Sequence, residues 1–115
     1  MTISIEEWDF FRDKYDDFNC LLGYLHTYSY PDYGSDQKII EHYVEVFCKE
    51  DLESTIKQGR EVLALEPFPH EWVYNAVEWR SLDCVPGDTL EEKYYNWVKW
   101  LLEVLEAEAR RAGKL

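Results

Sequence analysis

The side chains able to do chemistry in this chain are its acids, three cysteines, three histidines, and a dense population of tyrosine and tryptophan. Catalysis would need them at a recognisable spacing, and that spacing is missing. Cys20 and His26 stand six positions apart, and residues six apart on a helix do not face each other, so they make no nucleophile–base pair. His26, His42 and His70 are scattered, with no Cys-x-x-Cys and no histidine pair at i, i+4, which leaves no ligand set for zinc. Gly23, Gly34, Gly59, Gly87 and Gly113 are isolated, so neither a phosphate-cradling loop nor a Gly-x-Ser-x-Gly elbow is present. Two of the 24 carboxylates would serve as acid and base only if burial raised the pKa of one, which spacing does not report. No catalytic residue, no cofactor and no metal are therefore expected, and the chain does not read as an enzyme.

Recognition of a partner is the chemistry that remains. The 24 acidic and 12 basic side chains give a formal net charge of −12. Direct nucleic-acid binding is disfavoured, because it depends on Lys and Arg displacing the polyanion's counterions. The charge is uneven: residues 1–54 hold 13 acids and 4 bases, residues 55–115 hold 11 and 8. In the acidic half, Tyr28, Tyr30, Asp32, Tyr33 and Asp36 crowd around Pro31 and Gly34. Tyrosine is enriched at interface centres, and a Tyr/Asp loop offers a basic nuclease groove flat rings in place of bases and carboxylates in place of phosphates. Glu41 and Glu45 follow one helical step apart and share a face. Tyr28, Tyr30, Asp32, Asp36, Glu41 and Glu45 are thus the candidate contacts for a basic protein. The competing uses are a solvated face that keeps a small domain dissolved and tyrosines that simply pack the loop.

Helices must position these groups. The 115 residues suit one domain, 1–115, and 46% hydrophobic content supplies a core. Ser4-Ile5-Glu6-Glu7 is a capping box, followed by Ile5, Trp8, Phe11 and Tyr15 at helical spacing. Asp16-Asp17 either interrupts or recaps that helix before Phe18, Leu21, Leu22 and Leu25. Ser35 or Asp36 opens a helix carrying Ile39, Ile40, Tyr43, Val44 and Phe47. Asp51 is the expected cap of the next, which Pro67 and Pro69 stop. A short helix over 69–79 follows, then a Pro86-Gly87 turn. Thr89-Leu90-Glu91-Glu92 caps the strongest stripe, Tyr94, Trp97, Val98, Leu101, Leu102 and Leu105. Gly113 is its stop, with Arg110, Arg111 and Lys114 suited to its dipole. No two-residue alternation reaches strand length. The expected fold is all-α, a single-domain bundle of about five helices. Cys20, Cys48 and Cys84, spaced 28 and 36 apart, make a poor disulfide framework and read as buried apolar residues, with at most one partly exposed thiol. No apolar run approaches the roughly 18 residues of a membrane span and no signal peptide is visible, so a cytoplasmic location is expected.

The segment Tyr24-Leu25-His26-Thr27-Tyr28-Ser29-Tyr30-Pro31-Asp32-Tyr33-Gly34-Ser35, followed by the acidic helix 36–46, resembles a family of bacterial contact-dependent growth inhibition immunity proteins. These are small helical proteins with an aromatic-aromatic-His segment, a Tyr-Gly-Ser-type turn and a helix. A Leu-rich helix like 52–65 and a closing Tyr/Trp/Leu helix like 94–105 complete the likeness, which spans 18 to 105. The family's polar-Asp-Trp after the histidine is replaced here by Thr27-Tyr28-Ser29. The resemblance implies a protein that binds the C-terminal domain of a cognate toxin, often a nuclease, as a one-to-one heterodimer and blocks it. It also implies that His26, Tyr33, Gly34 and Ser35 support the fold. The alternative is a non-catalytic helical adaptor with no toxin partner, in which the Trp72/Trp79 region is the binding patch.

Overall fold

The computed structural model describes residues 3–28, 35–77, 82 and 85–115. Among them are six helices and no strand: α1 (Ile5–Lys14), α2 (Asp16–Thr27), α3 (Asp36–Val46), α4 (Lys49–Leu63), α5 (His70–Ala76) and α6 (Leu90–Arg111). The all-α class agrees with the pattern reading. The count exceeds about five because the first apolar stripe is two helices. Ser4 caps α1, accepting from the Glu7 N–H at 3.1 Å, while its hydroxyl donates to the Glu7 carboxylate at 3.2 Å. The helix stops where Tyr15 leaves helical geometry, at φ −117° and ψ 52°. No side chain of Tyr15 caps α2. Gln58 of α4 does so instead, accepting from the N–H groups of Asp17 and Phe18 at 2.9 and 3.0 Å and donating to the Asp16 carboxylate at 3.0 Å. A cap 41 positions away along the chain is what makes two helices out of one stripe.

Four helices close into a ring. α4 packs on α2 and α6, and α3 packs on α2 and α6. α5 bridges α2 and α6, and α1 leans on α2. The ring encloses Phe18, Leu22, Leu25, Ile40, Leu52, Val62, Val98, Leu101 and Leu105, all without solvent exposure. Each such side chain contributes roughly 1.5–3 kcal/mol of burial free energy. Gly59 sits where α4 crosses α6: a Cβ there would stand 2.5 Å from Leu102 Cδ2. The residue that costs about 1 kcal/mol in helix propensity is the one that lets the two backbones approach. Inside the ring, Tyr43 donates to Thr55 Oγ1 at 3.0 Å, and Thr55 donates to the Asp51 carbonyl at 2.9 Å. Burial pushes the Tyr43 phenol well above its ordinary pKa, with the Thr55 bond opposing part of that shift.

The second capping box also forms, Thr89 Oγ1 accepting from the Glu92 N–H at 3.1 Å. Gly113 (φ +75°) closes α6 in a left-handed turn, with Gly113 N–H to the Arg110 carbonyl at 3.0 Å and Lys114 N–H to the Ala109 carbonyl at 2.8 Å.

Four expectations need correction. The cap residue of α4 is Cys48, not Asp51: only Phe47 and Cys48 separate it from α3, so the helix resumes as soon as the chain has turned. Asp51 lies in its first turn and accepts the Cys48 thiol at 3.2 Å. Cys20 and Cys48 are exposed rather than buried, since Cys20 falls off the 18-21-22-25 stripe and Cys48 marks a helix start; Cys84 lies outside the described residues. α5 ends at Ala76, and Trp79 too lies outside the described residues. Lys114 does not serve the dipole of its own helix, because its ammonium reaches across to the end of α3.

Candidate binding surfaces

The residues singled out from the sequence part company in three dimensions. Tyr30 and Asp32, with Tyr33 and Gly34, lie outside the described residues. Tyr28 ends α2 half-buried, its ring 4.5 Å from that of Tyr24 and 6.0 Å from that of His42. Asp36 opens α3 and accepts from the Trp97 indole at 3.3 Å, which ties α3 to α6. Both are thus engaged in the fold. Ser35 caps α3, accepting from the Lys38 N–H at 3.3 Å, and His26 lies half-buried in the last turn of α2.

Glu41 and Glu45 do come together. They line a shallow groove of about 260 Å³ between α3 and α6, beside Glu108 and Arg111. Glu108 is only 8% exposed and pairs with Arg111 at 3.1 Å. Lys38 lies 4.0 Å from Glu41. The end of α3 is held by the Lys114 ammonium, which donates to the carbonyls of Val44, Glu45 (3.2 Å) and Phe47 (2.9 Å). Three donors meet three acceptors at the negative end of a helix, a favourable placement for a cation. Glu41 and Glu108 are each met by a cation, Lys38 and Arg111, while the Glu45 carboxylate has no cationic partner among the described residues.

A second surface was not singled out from the sequence as a groove. α1, the connection from α4 to α5, and the start of α6 enclose about 580 Å³. Its floor is aromatic: Phe11 stacks on Trp72 at 5.3 Å, and Phe68 lies alongside. Trp72 is completely buried against Phe11, Tyr15 and Phe18, and its indole N–H has no acceptor among the described residues. Phe10 forms a lip, 54% exposed. Glu7, Glu66, Glu71 and Glu91 surround the opening. Among the described residues none of the first three has a cationic partner, and Glu91 faces His70 at 3.6 Å. A smaller recess of about 340 Å³ continues along Phe68, Glu91, Glu92 and Tyr95. The available signal was the pair Phe10-Phe11: adjacent helical residues cannot both face one core, so one ring must face elsewhere.

A groove of about 720 Å³ between α4 and α6 is of a different kind. Four cations, Lys49, Lys57, Arg60 and Arg110, line it with three glutamates, and Arg60 and Arg110 both pair with Glu106, so it is not an acidic opening. Partial desolvation, then the carboxylates of Asp17, Asp51 and Asp16, push the Cys20 thiol pKa up, the reverse of what a nucleophile needs. Among the described residues no group of three His, Cys, Asp or Glu side chains is placed to hold a metal ion, and no helix is long and apolar enough to cross a membrane. In comparisons with protein-family models, curated proteins and solved structures, nothing matches this chain.

Proposed function

We propose that this protein is an immunity protein of the contact-dependent growth inhibition kind, acting in the cytoplasm as a stoichiometric inhibitor of a basic toxin domain and not as an enzyme. The observation that carries the reading is the α3 face, where Glu41, Glu45 and Glu108 line one groove in a chain of net charge −12. Such a field attracts a cationic protein and repels other acidic ones. The Tyr/Asp segment 28–36 leads directly into this helix, and the resemblance to immunity proteins is centred there. The toxin's active site or substrate groove would be occluded by carboxylates and rings.

The test is neutralisation. A gene for a large toxin should lie immediately upstream, and its purified C-terminal domain should lose activity at one equivalent of this protein. Glu41→Lys with Glu45→Lys should weaken binding, by about 2–5 kcal/mol if either carboxylate meets a buried Arg or Lys, and mainly through association rate if they lie at the rim. These positions are better probes than Asp36, whose reversal would also release Trp97. A toxin left fully active by excess protein would overturn the reading. The second reading, a helical adaptor without a toxin, is favoured by the aromatic groove at Trp72 and predicts a binding partner but no neutralisation.

A further inference from the structure

We infer that the groove between α1 and α5 is a docking site for a short cationic–apolar peptide segment of a protein partner, one Arg or Lys flanked by bulky apolar residues. The inference rests on the protein being a binding module, in either form proposed above, and it adds a second site distinct from α3. The volume of about 580 Å³ accommodates two or three side chains. The half-buried Phe11 and the exposed Phe10, over a base of buried Phe68 and Trp72, supply apolar area and ring surface, which attract a guanidinium or ammonium as well as another ring. The charge around the opening selects the occupant. Glu7, Glu66 and Glu71 lack cationic partners among the described residues, so a basic group seated between them gains ion pairs without displacing any already made. An acidic or purely apolar segment would leave those carboxylates desolvated and unmatched. A second copy of the chain is a poor occupant, because it brings the same net charge of −12 to an acidic opening. The other two grooves differ: the α3 face has no aromatic floor, and the α4/α6 groove is lined by four cations against three glutamates.

The experiment uses the full chain, isotopically labelled, titrated at low salt with the capped pentapeptide Leu-Arg-Phe-Lys-Leu and with its counterpart carrying Glu in place of both cations. Saturating shifts confined to 3–11, 65–72 and 91–96, the Trp72 indole N–H included, are expected with the basic peptide alone. The double variant Phe10→Ala, Glu66→Lys alters two exposed side chains outside the buried core and should weaken binding at least about tenfold. Glu103→Lys, exposed on α6 outside the groove, should leave it unchanged. Equal binding of both peptides, shifts centred on α3, no saturable binding, or self-association lost in the Phe10→Ala, Glu66→Lys variant would each overturn the inference. Toxin neutralisation scored on the same variants separates the two proposals. A wild-type chain that neutralises but ignores the peptide sinks only the groove, and one that takes the peptide but neutralises nothing sinks only the immunity reading.

Discussion

The closed side of the molecule, where α2, α3, α4 and α6 meet, and the open side, where α1 and α5 flank the aromatic groove, handle polar groups in opposite ways. On the closed side several are matched across helices, although Asn19 Oδ1 of α2 is buried with no partner among the described residues. Gln58 takes the free N–H groups at the start of α2, Lys114 takes the free carbonyls at the end of α3, and Tyr43 and Thr55 satisfy each other within the core. On the open side Trp72 keeps an indole N–H without an acceptor, and three glutamates stand without cations among the described residues. Both sides are rich in acid. What distinguishes them is compensation, which a count of charge along the chain does not measure.

Substitutions on the two sides should therefore behave differently. The largest effect is expected from Trp72→Ala, about 3–5 kcal/mol of stability in chemical denaturation, since this ring is both groove floor and core. A loss below about 1 kcal/mol would mean that the floor is only surface and would erase the contrast. On the closed side, Gln58→Ala should lose about 1–2 kcal/mol, because two N–H groups are left without their acceptor, and amide exchange should accelerate at Asp17 and Phe18. Alkaline titration comes next. The folded-state pKa of Tyr43 is raised, so its contribution is fully present below the unfolded value near pH 10 and declines as pH rises above it toward the folded value. The decline cannot exceed about 1.4 kcal/mol per pH unit for this one proton, and Tyr43→Phe should flatten it. Smallest is Lys114→Met, which keeps the stem and removes the charge, at about 1 kcal/mol with fraying of the last turn of α3. Equal fraying throughout the chain would show that Lys114 acts on the whole fold and not on that helix end.

Local chemistry was legible in the sequence and remote chemistry was not. Ser4 with Glu7, Thr89 with Glu92, and Gly113 act within one turn of themselves, and each stands as its spacing predicts. The apolar stripes of α2, α3 and α6 likewise place their own buried faces. The division at Tyr15 was undecidable because its cause, Gln58, belongs to another helix. The exposure of Cys20 follows from its angle to the stripe rather than from its type. Glu41 and Glu45 share a face by simple helical geometry, whereas the engagement of Asp36 with Trp97 links positions 61 apart. The groove was hardest to see, since its floor and opening come from three separate stretches of chain, each unremarkable alone.

One consequence follows from the way α2 is begun. Because its first amides are held from α4, and because α1 contains no fully buried residue, the leading helix is energetically a leaf hung on Tyr15. It can loosen without unravelling what comes after it. The leaf also bears Phe10 and Phe11, so anything seated against it is gripped by a helix without a fully buried side chain, and the tightness of that grip is set by how much order the leaf acquires on binding.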